Sequence, residues 1–195
     1  MKTKSKNIIL ASNSPRRKEL LRQIGISFIA DPAEVDERIL GGETPEAYAI
    51  RVAGDKARLV AARSGEAIVI AADTIVVMDD EILGKPVDAA DAVRMLTSLS
   101  GRMHRVITGI VVADAANRKI SARTVSTRVW FRTLSPRMIA AYVATQEPLD
   151  KAGAYGIQEK GALLVDAIEG CYFNVVGLPL SVLADMLNEH CIKLL

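Results

Sequence analysis

Two arginines and a lysine crowd the start of a helix in this chain. In Ser12-Asn13-Ser14-Pro15-Arg16-Arg17-Lys18, Ser14 is a good N-cap, and Pro15 fits the first helical position because a proline there loses no usable N–H. First turns ordinarily carry acids that complement the positive end of the helix dipole, yet Arg16, Arg17 and Lys18 stand where orphan N–H groups already point outward. Such a concentration of positive charge wants an anion. With the hydroxyls of Ser12 and Ser14 in the turn before it, the segment reads as a phosphate cradle at a helix N-terminus. An ordinary capped helix with solvated arginines is the plainer alternative.

Five further features break the rules of their surroundings. Asp73 lies inside the apolar run Ile68 to Val77, where a lone carboxylate is costly unless a metal, a cation or hydrogen bonds compensate it. It is a site candidate; the competing role is a structural aspartate bonded to backbone amides at a bulge. Lys56 continues the helical stripe of Ala49, Val52, Ala53 and Val60, so it is off the solvent face, either as a functional cation or with its stem snorkelling. Lys85, between Gly84 and Pro86, occupies a constrained loop that could aim an ammonium at a ligand, although most loop lysines are simply solvated. Glu34-Val35-Asp36-Glu37 supplies three carboxylates of the hard-oxygen kind that help to hold Mg²⁺ beside a phosphate, or else solvated loop acids. Gln158 carries an amide donor and an acceptor, which match O4 and N3–H of uracil or thymine; the flipped amide suits cytosine too, so this residue alone leaves the base open.

The elements that must position these groups alternate in type, as in an α/β fold. A strand over Asn7 to Ala11 feeds the helix opened by Ser14-Pro15, and Ile26 to Ala30 reads as a short strand ending in the acidic loop. Thr44-Pro45 opens a second helix to about Ala62, and Ala67 to Met78 is an apolar, β-branched run fit for a strand buried on both faces. Asp79-Asp80 turns that strand back into Ile82 and Leu83. Asp88 caps a third helix that Gly101 terminates. Two long strands near Met103 to Ala113 and Ile120 to Thr133 form a hairpin with Trp130 in the core. Ser135-Pro136 opens another helix, Gly153 to Gly161 is a glycine-punctuated loop, Ala162 to Ile168 a strand, and Pro179 starts a terminal helix.

Composition excludes several classes. A chain of 195 residues with 50% hydrophobic content can bury one sizeable core, and its 25 basic and 23 acidic residues are spread along its length, so no block builds a polyanion-binding field. The 4% aromatic content leaves few stacking platforms, which disfavours nucleic-acid binding further. Cys171 and Cys191 form no C-x-x-C pair and read as reduced thiols, while His104 and His190 are isolated, so a bound divalent ion would be oxygen-ligated. Ile8 to Ala11 is too short for a signal-peptide core or a membrane span, which predicts a cytoplasmic protein without a membrane partner. A serine-esterase reading fails for want of a G-x-S-x-G elbow and a placed histidine.

Five segments in order, Leu10-Ala11-Ser12-Asn13-Ser14-Pro15-Arg16-Arg17, Ala72-Asp73-Thr74-Ile75-Val76, Gly84-Lys85-Pro86, Asp150-Lys151-Ala152-Gly153-Ala154-Tyr155-Gly156-Ile157-Gln158 and Val176-Gly177-Leu178-Pro179, resemble the Maf family of nucleotide pyrophosphatases over nearly the whole chain. Within that family the Ala152 to Gln158 segment is similar to the dTTP/UTP pyrophosphatase branch rather than the 7-methyl-GTP branch. The resemblance implies a single Maf-like domain over residues 1–195. It implies a two-lobed α/β, inosine-triphosphatase-like fold with an elongated mixed sheet flanked by helices and a central cleft, usually in a homodimer. It also implies hydrolysis of a nucleoside triphosphate to the monophosphate and pyrophosphate with Mg²⁺ or Mn²⁺. Carried over residue by residue, Asp73 matches the family's general base, and Arg16, Thr74 and Gln158 match its substrate-selecting positions. Ser12, Arg17, Lys56 and Lys85, with Ser14 beside them, match the phosphate site, and Glu37 with Asp73 the metal site; a small alignment shift would put Asp36 or Glu34 in place of Glu37. Two other functions fit the same resemblance: a house-cleaning hydrolase for 7-methyl-GTP, purine or modified nucleotides, and a non-catalytic nucleotide- or DNA-binding regulator of cell division.

Overall fold

The computed structural model describes residues 6–195, which form seven strands and six α-helices joined by short 3-10 turns. The strands are β1 (Asn7–Leu10), β2 (Ile29–Ala30), β3 (Ala67–Met78), β4 (Glu81–Leu83), β5 (Met103–Asp114), β6 (Lys119–Phe131) and β7 (Val165–Glu169). The helices are α1 (Pro15–Gln23), α2 (Pro45–Ala61), α3 (Ala89–Leu99), α4 (Pro136–Val143), α5 (Tyr172–Val176) and α6 (Leu180–Glu189). One mixed sheet runs in the order β2-β1-β3-β5-β6-β7, with β4 paired to β3. β1 lies parallel to β2 and β3, whereas β3–β4 and β6–β7 are antiparallel.

Helix starts follow the cap chemistry. Ser14, Thr44, Asp88 and Ser135 each accept a backbone N–H of the first helical turn, and proline holds the first position of α1, α2 and α4. Strand limits follow competing hydrogen bonds. The expected strand from Ile26 shrinks to Ile29–Ala30 because Gly25, at φ 73°, and Ile26 close the end of α1 on the carbonyls of Arg22 and Leu21. β7 begins at Val165 rather than Ala162 because Glu159–Leu164 is a 3-10 turn. Trp130 is half-buried, with the Arg128 guanidinium 5.9 Å from its ring centroid, and its neighbours Val129 and Phe131 take the core positions instead. The five-residue α5 is too short to leave a periodic signal in the sequence.

The chain divides into two compact units. The first holds described residues up to Asp73, Thr108–Val125 and Gly177 onward; its core joins Ile9 of β1 and the following Ala11, Ala53, Ala57 and Val60 of α2, Val69 and Ala71 of β3 and Val111 and Ala113 of β5. Gly109 on β5 has no room for a side chain, because a Cβ there would lie 2.3 Å from the Ala49 carbonyl oxygen of α2. The second unit, Thr74–Ile107 and Ser126–Val176, packs α3 and α4 on Val76, Val106, Val129 and Phe131. In it, His104, Phe131 and Tyr155 meet edge to face, with centroids 4.6 to 5.3 Å apart.

Candidate active site

β1 ends at Leu10 and delivers Ser12 and Ser14 to the N-terminus of α1. Ser14 Oγ accepts from Arg17 N at 3.4 Å, and Ser12 Oγ accepts from Ser14 N at 3.1 Å and from Arg17 Nη1 at 3.2 Å. Arg17 Nε donates to the Gly177 carbonyl at 2.8 Å. Arg17 is therefore braced from two sides rather than solvated. Burial pushes its pKa down, and the negative charge of Asp73 opposes that shift; a guanidinium still stays charged, so a fixed positive charge faces the field of Asp73. Arg16, half-buried one residue earlier, adds a like charge to the same turn.

The carboxylate of Asp73 on β3, a residue 9% exposed, finds its partner on α2: Lys56 Nζ lies 2.8 Å from Asp73 Oδ1 and 2.8 Å from Glu37 Oε1. The Lys56 side chain is only 12% exposed, and its ammonium is shared between two acids. Asp73 is likewise compensated by a cation. Two nearly buried opposite charges are tolerable only in such a pair. Glu37 is held in place through its backbone, whose carbonyl accepts from the Tyr48 hydroxyl at 2.9 Å. Burial, then the charges of Asp73 and Glu37, push that phenol up to about 12. Arg51, paired with Glu43 at 2.6 Å, donates to the carbonyls of Arg38 and Asp36 and so fixes the rest of the acidic loop. Asp36 itself turns to Arg38, whose hydrogen bonds hold its carboxyl down at about 2, and Glu34 is exposed. Of the three loop acids, Glu37 is the one joined to Asp73 through Lys56.

Tyr48 and Gly177 were not evident as site residues from sequence. Tyr48 had a signal, for it sits eight residues before Lys56 and shares its helical face. Gly177 had none beyond its place in Val176-Gly177-Leu178-Pro179, since a carbonyl contact spanning 160 residues leaves no local trace.

The remaining expected residues belong to the second unit. Thr74 follows Asp73 on β3 and is half-buried. Lys85 is exposed after β4, and the Gly84 carbonyl beside it accepts from Gly153 N at 3.0 Å. Gln158 is half-buried at the start of the 3-10 turn Glu159–Leu164, yet its side chain does not cap that turn.

Among the described residues no group of three or more His, Cys, Asp or Glu forms a metal cage. The donor set nevertheless suits a hard cation. Glu37 and Asp73 direct carboxylate oxygens at one point, now the Lys56 ammonium, and Mg²⁺ typically takes one or two carboxylates with the rest of its shell from water and phosphate.

A family model described as Maf-like protein matches residues 7–190. A dTTP/UTP pyrophosphatase of Geotalea uraniireducens is 53% identical over 189 residues, covering 97% of each chain. One from Pelotomaculum thermopropionicum is 49% identical, covering 94% of this chain and 96% of its own. Among solved structures, a HAM1 protein from Coxiella burnetii superposes with a TM-score of 0.53 at 20% identity, over 95% of this chain and all of that one, a likeness of fold.

Proposed function

The chain belongs to the Maf-like proteins, and from that premise we propose that it is a nucleoside triphosphate pyrophosphatase that hydrolyses dTTP and UTP to the monophosphate and pyrophosphate. The observation that carries the reading is the pairing of Glu37 and Asp73 on Lys56, beside a helix N-terminus whose Arg17 is fixed by Ser12 and Gly177. Cations fixed before substrate arrives cost little reorganisation when charge redistributes, which is where phosphoryl chemistry takes most of its acceleration. Arg16 and Arg17, with the N–H groups of α1 and the hydroxyls of Ser12 and Ser14, bind phosphate oxygens; Lys56 and Lys85 add positive charge. Asp73 accepts the proton of the water that attacks the α-phosphorus, and pyrophosphate leaves with the bond to the α-phosphorus broken. Glu37 and Asp73 are the residues that would hold Mg²⁺ or Mn²⁺, which when bound neutralises phosphate oxygens. Lys56 then keeps the two carboxylates from repelling each other and the substrate. Arg16, Thr74 and Gln158 select the nucleotide, with the Gln158 amide hydrogen-bonding the pyrimidine imide. A base that leaves this amide unpaired is penalised.

The test is pyrophosphate release by the purified protein from dTTP, UTP, CTP, GTP and 7-methyl-GTP, with Mg²⁺ or Mn²⁺ and with chelator. Preference for dTTP and UTP in kcat/KM, lost on chelation, is the expected result. A preference for 7-methyl-GTP, or release of two orthophosphates in place of pyrophosphate, would overturn it.

A further inference from the structure

The segment that carries Gln158 is held at both ends by a pair of residues with no role in the reaction above. Tyr142, buried at the end of α4, donates its hydroxyl to Glu147 Oε1 at 2.9 Å, and the same oxygen accepts from Gly161 N at 3.1 Å. Glu147 Oε2 accepts from Lys160 N at 3.3 Å. The Tyr142 hydroxyl in turn accepts from Gly156 N at 3.4 Å. Gly156 and Gly161 therefore close on one tyrosine–glutamate pair, and they also close on each other: a Cβ on Gly161 would fall 1.9 Å from the Gly156 carbonyl oxygen and 2.7 Å from the Tyr142 hydroxyl. The stem of Lys151 packs on the other side of Gly156, where a Cβ would meet its Cε at 2.9 Å, while Lys151 Nζ donates to the Glu147 carbonyl at 2.6 Å.

The pair is itself braced. Thr145 Oγ1 donates to the Tyr142 carbonyl at 2.6 Å and accepts from Glu147 N at 3.2 Å, across Gln146 in the left-handed region at φ 63°. Glu159, next to Gln158, is also left-handed at φ 54°. Non-glycine residues hold such backbone angles only where the surroundings over-determine them. Glu147 gives the 3-10 turn Glu159–Leu164 the N-terminal cap that the residue at its start, Gln158, does not supply. The consequence is chemical. The Gln158 side chain is half-buried and does not cap the turn, so its amide donor and acceptor can meet a ligand.

We propose that Tyr142 and Glu147 are positioning residues that clamp the Gly156–Gly161 segment and thereby set which nucleobase Gln158 accepts. The proposal rests on the assignment of Gln158 to base recognition. An amide selects a base only if the backbone that carries it is held in place, and here the backbone is held on both sides of the residue. Loosening the clamp lets the segment shift by the few tenths of an ångström that decide whether an imide edge is paired, without touching the charges that bind phosphate.

The experiment compares kcat/KM for dTTP, UTP, CTP and GTP in the native protein, Gln158→Ala, Tyr142→Phe, Glu147→Ala and Glu147→Gln, with melting temperature measured for each. Tyr142→Phe and Glu147→Ala are expected to lower the ratio of dTTP to CTP and GTP five- to tenfold, chiefly by raising KM for dTTP with kcat little changed. Glu147→Gln, which keeps one carbonyl acceptor, should recover part of the ratio. A native protein without pyrimidine preference overturns the assignment of Gln158 itself. A selective native protein whose preference is lost in Gln158→Ala but kept in Tyr142→Phe and Glu147→Ala, with only the melting temperature reduced, overturns the clamp alone. Should Glu147→Ala not fold, Tyr142→Phe and amide hydrogen exchange of the native chain decide: Lys160 and Gly161 are expected to be protected, and free exchange at both would overturn the clamp.

Discussion

In the first unit the chemical groups hold one another. Lys56 is fixed by Glu37 and Asp73, and Arg17 by Ser12 and the Gly177 carbonyl, so each functional side chain is also a structural partner of the next. In the second unit the arrangement is reversed: Gln158 is bound through its backbone neighbours, and its half-buried side chain does not cap the turn. The difference follows from charge. An ammonium or carboxylate that is nearly buried needs a counter-charge whether or not substrate is present, whereas a half-exposed neutral amide can wait for its partner at little cost. On the proposed reading, removing a charged residue from the first unit is expected to disturb both stability and activity, while removing the amide from the second should disturb selectivity alone.

The largest expected effect is that of Asp73→Asn, which keeps the size of the carboxylate and an acceptor for Lys56 but cannot take up a proton; kcat should fall about a hundredfold or more with the fold intact. Steady-state kinetics beside a thermal melt check this, and near-native kcat would remove Asp73 from the mechanism. A second test uses a neutral group buried in the second unit. Burial pushes His104 from 6.5 down to about 4, its Nε2 sits 2.7 Å from the Tyr155 hydroxyl, and its Nδ1 has no hydrogen-bond partner among the described residues. The unfolded chain binds this proton below its ordinary pKa and the folded chain does not. The stability His104 contributes is thus fully present above pH 6.5, falls as pH drops from 6.5 through 4, and totals about 3 kcal/mol at 1.36 kcal/mol per unit. Urea denaturation across that window should show the decline, and His104→Gln should flatten it.

Next in size is Lys56→Ala. A purely phosphate-binding lysine would leave stability unchanged on removal, but a lysine between two carboxylates leaves like charges facing each other, at a cost of about 1–3 kcal/mol given partial exposure of Glu37. Adding Asp73→Asn to Lys56→Ala should restore stability but not activity, and additive losses in the double-mutant cycle would show that the two are not coupled. The smallest disturbance is expected from Gln158→Ala: about a tenfold loss of pyrimidine preference, with a stability change within about 0.5 kcal/mol. A large drop in its melting temperature would mean that the amide supports the fold after all.

Helix starts were legible because caps act over three or four residues. Ser14, Thr44, Asp88 and Ser135 all cap as their sequence context requires. Asp73 and Lys56 were legible as anomalies, one in an apolar strand and the other on an apolar stripe. That they pair with each other was not, because the contact depends on how α2 lies over β3, and strand order is not written in periodicity. The ends of β2 and β7 were misplaced for the opposite reason: a helix cap and a 3-10 turn, both local, claimed residues whose hydrophobicity suited a strand. The core place expected for Trp130 in the hairpin goes to its two neighbours, which the pleat turns to the opposite face.

The bond from Arg17 to the Gly177 carbonyl also bears on the order in which the molecule is made. Arg17 is synthesised before its brace, which lies 160 positions downstream. At roughly 5–20 residues per second, the interval between the two is about 10–30 s. Throughout that time α1 can form on its own caps, and Arg17 has its local contact with Ser12 but not yet the Gly177 carbonyl. In a growing polypeptide this brace forms only once Gly177 has been made and folds back onto Arg17.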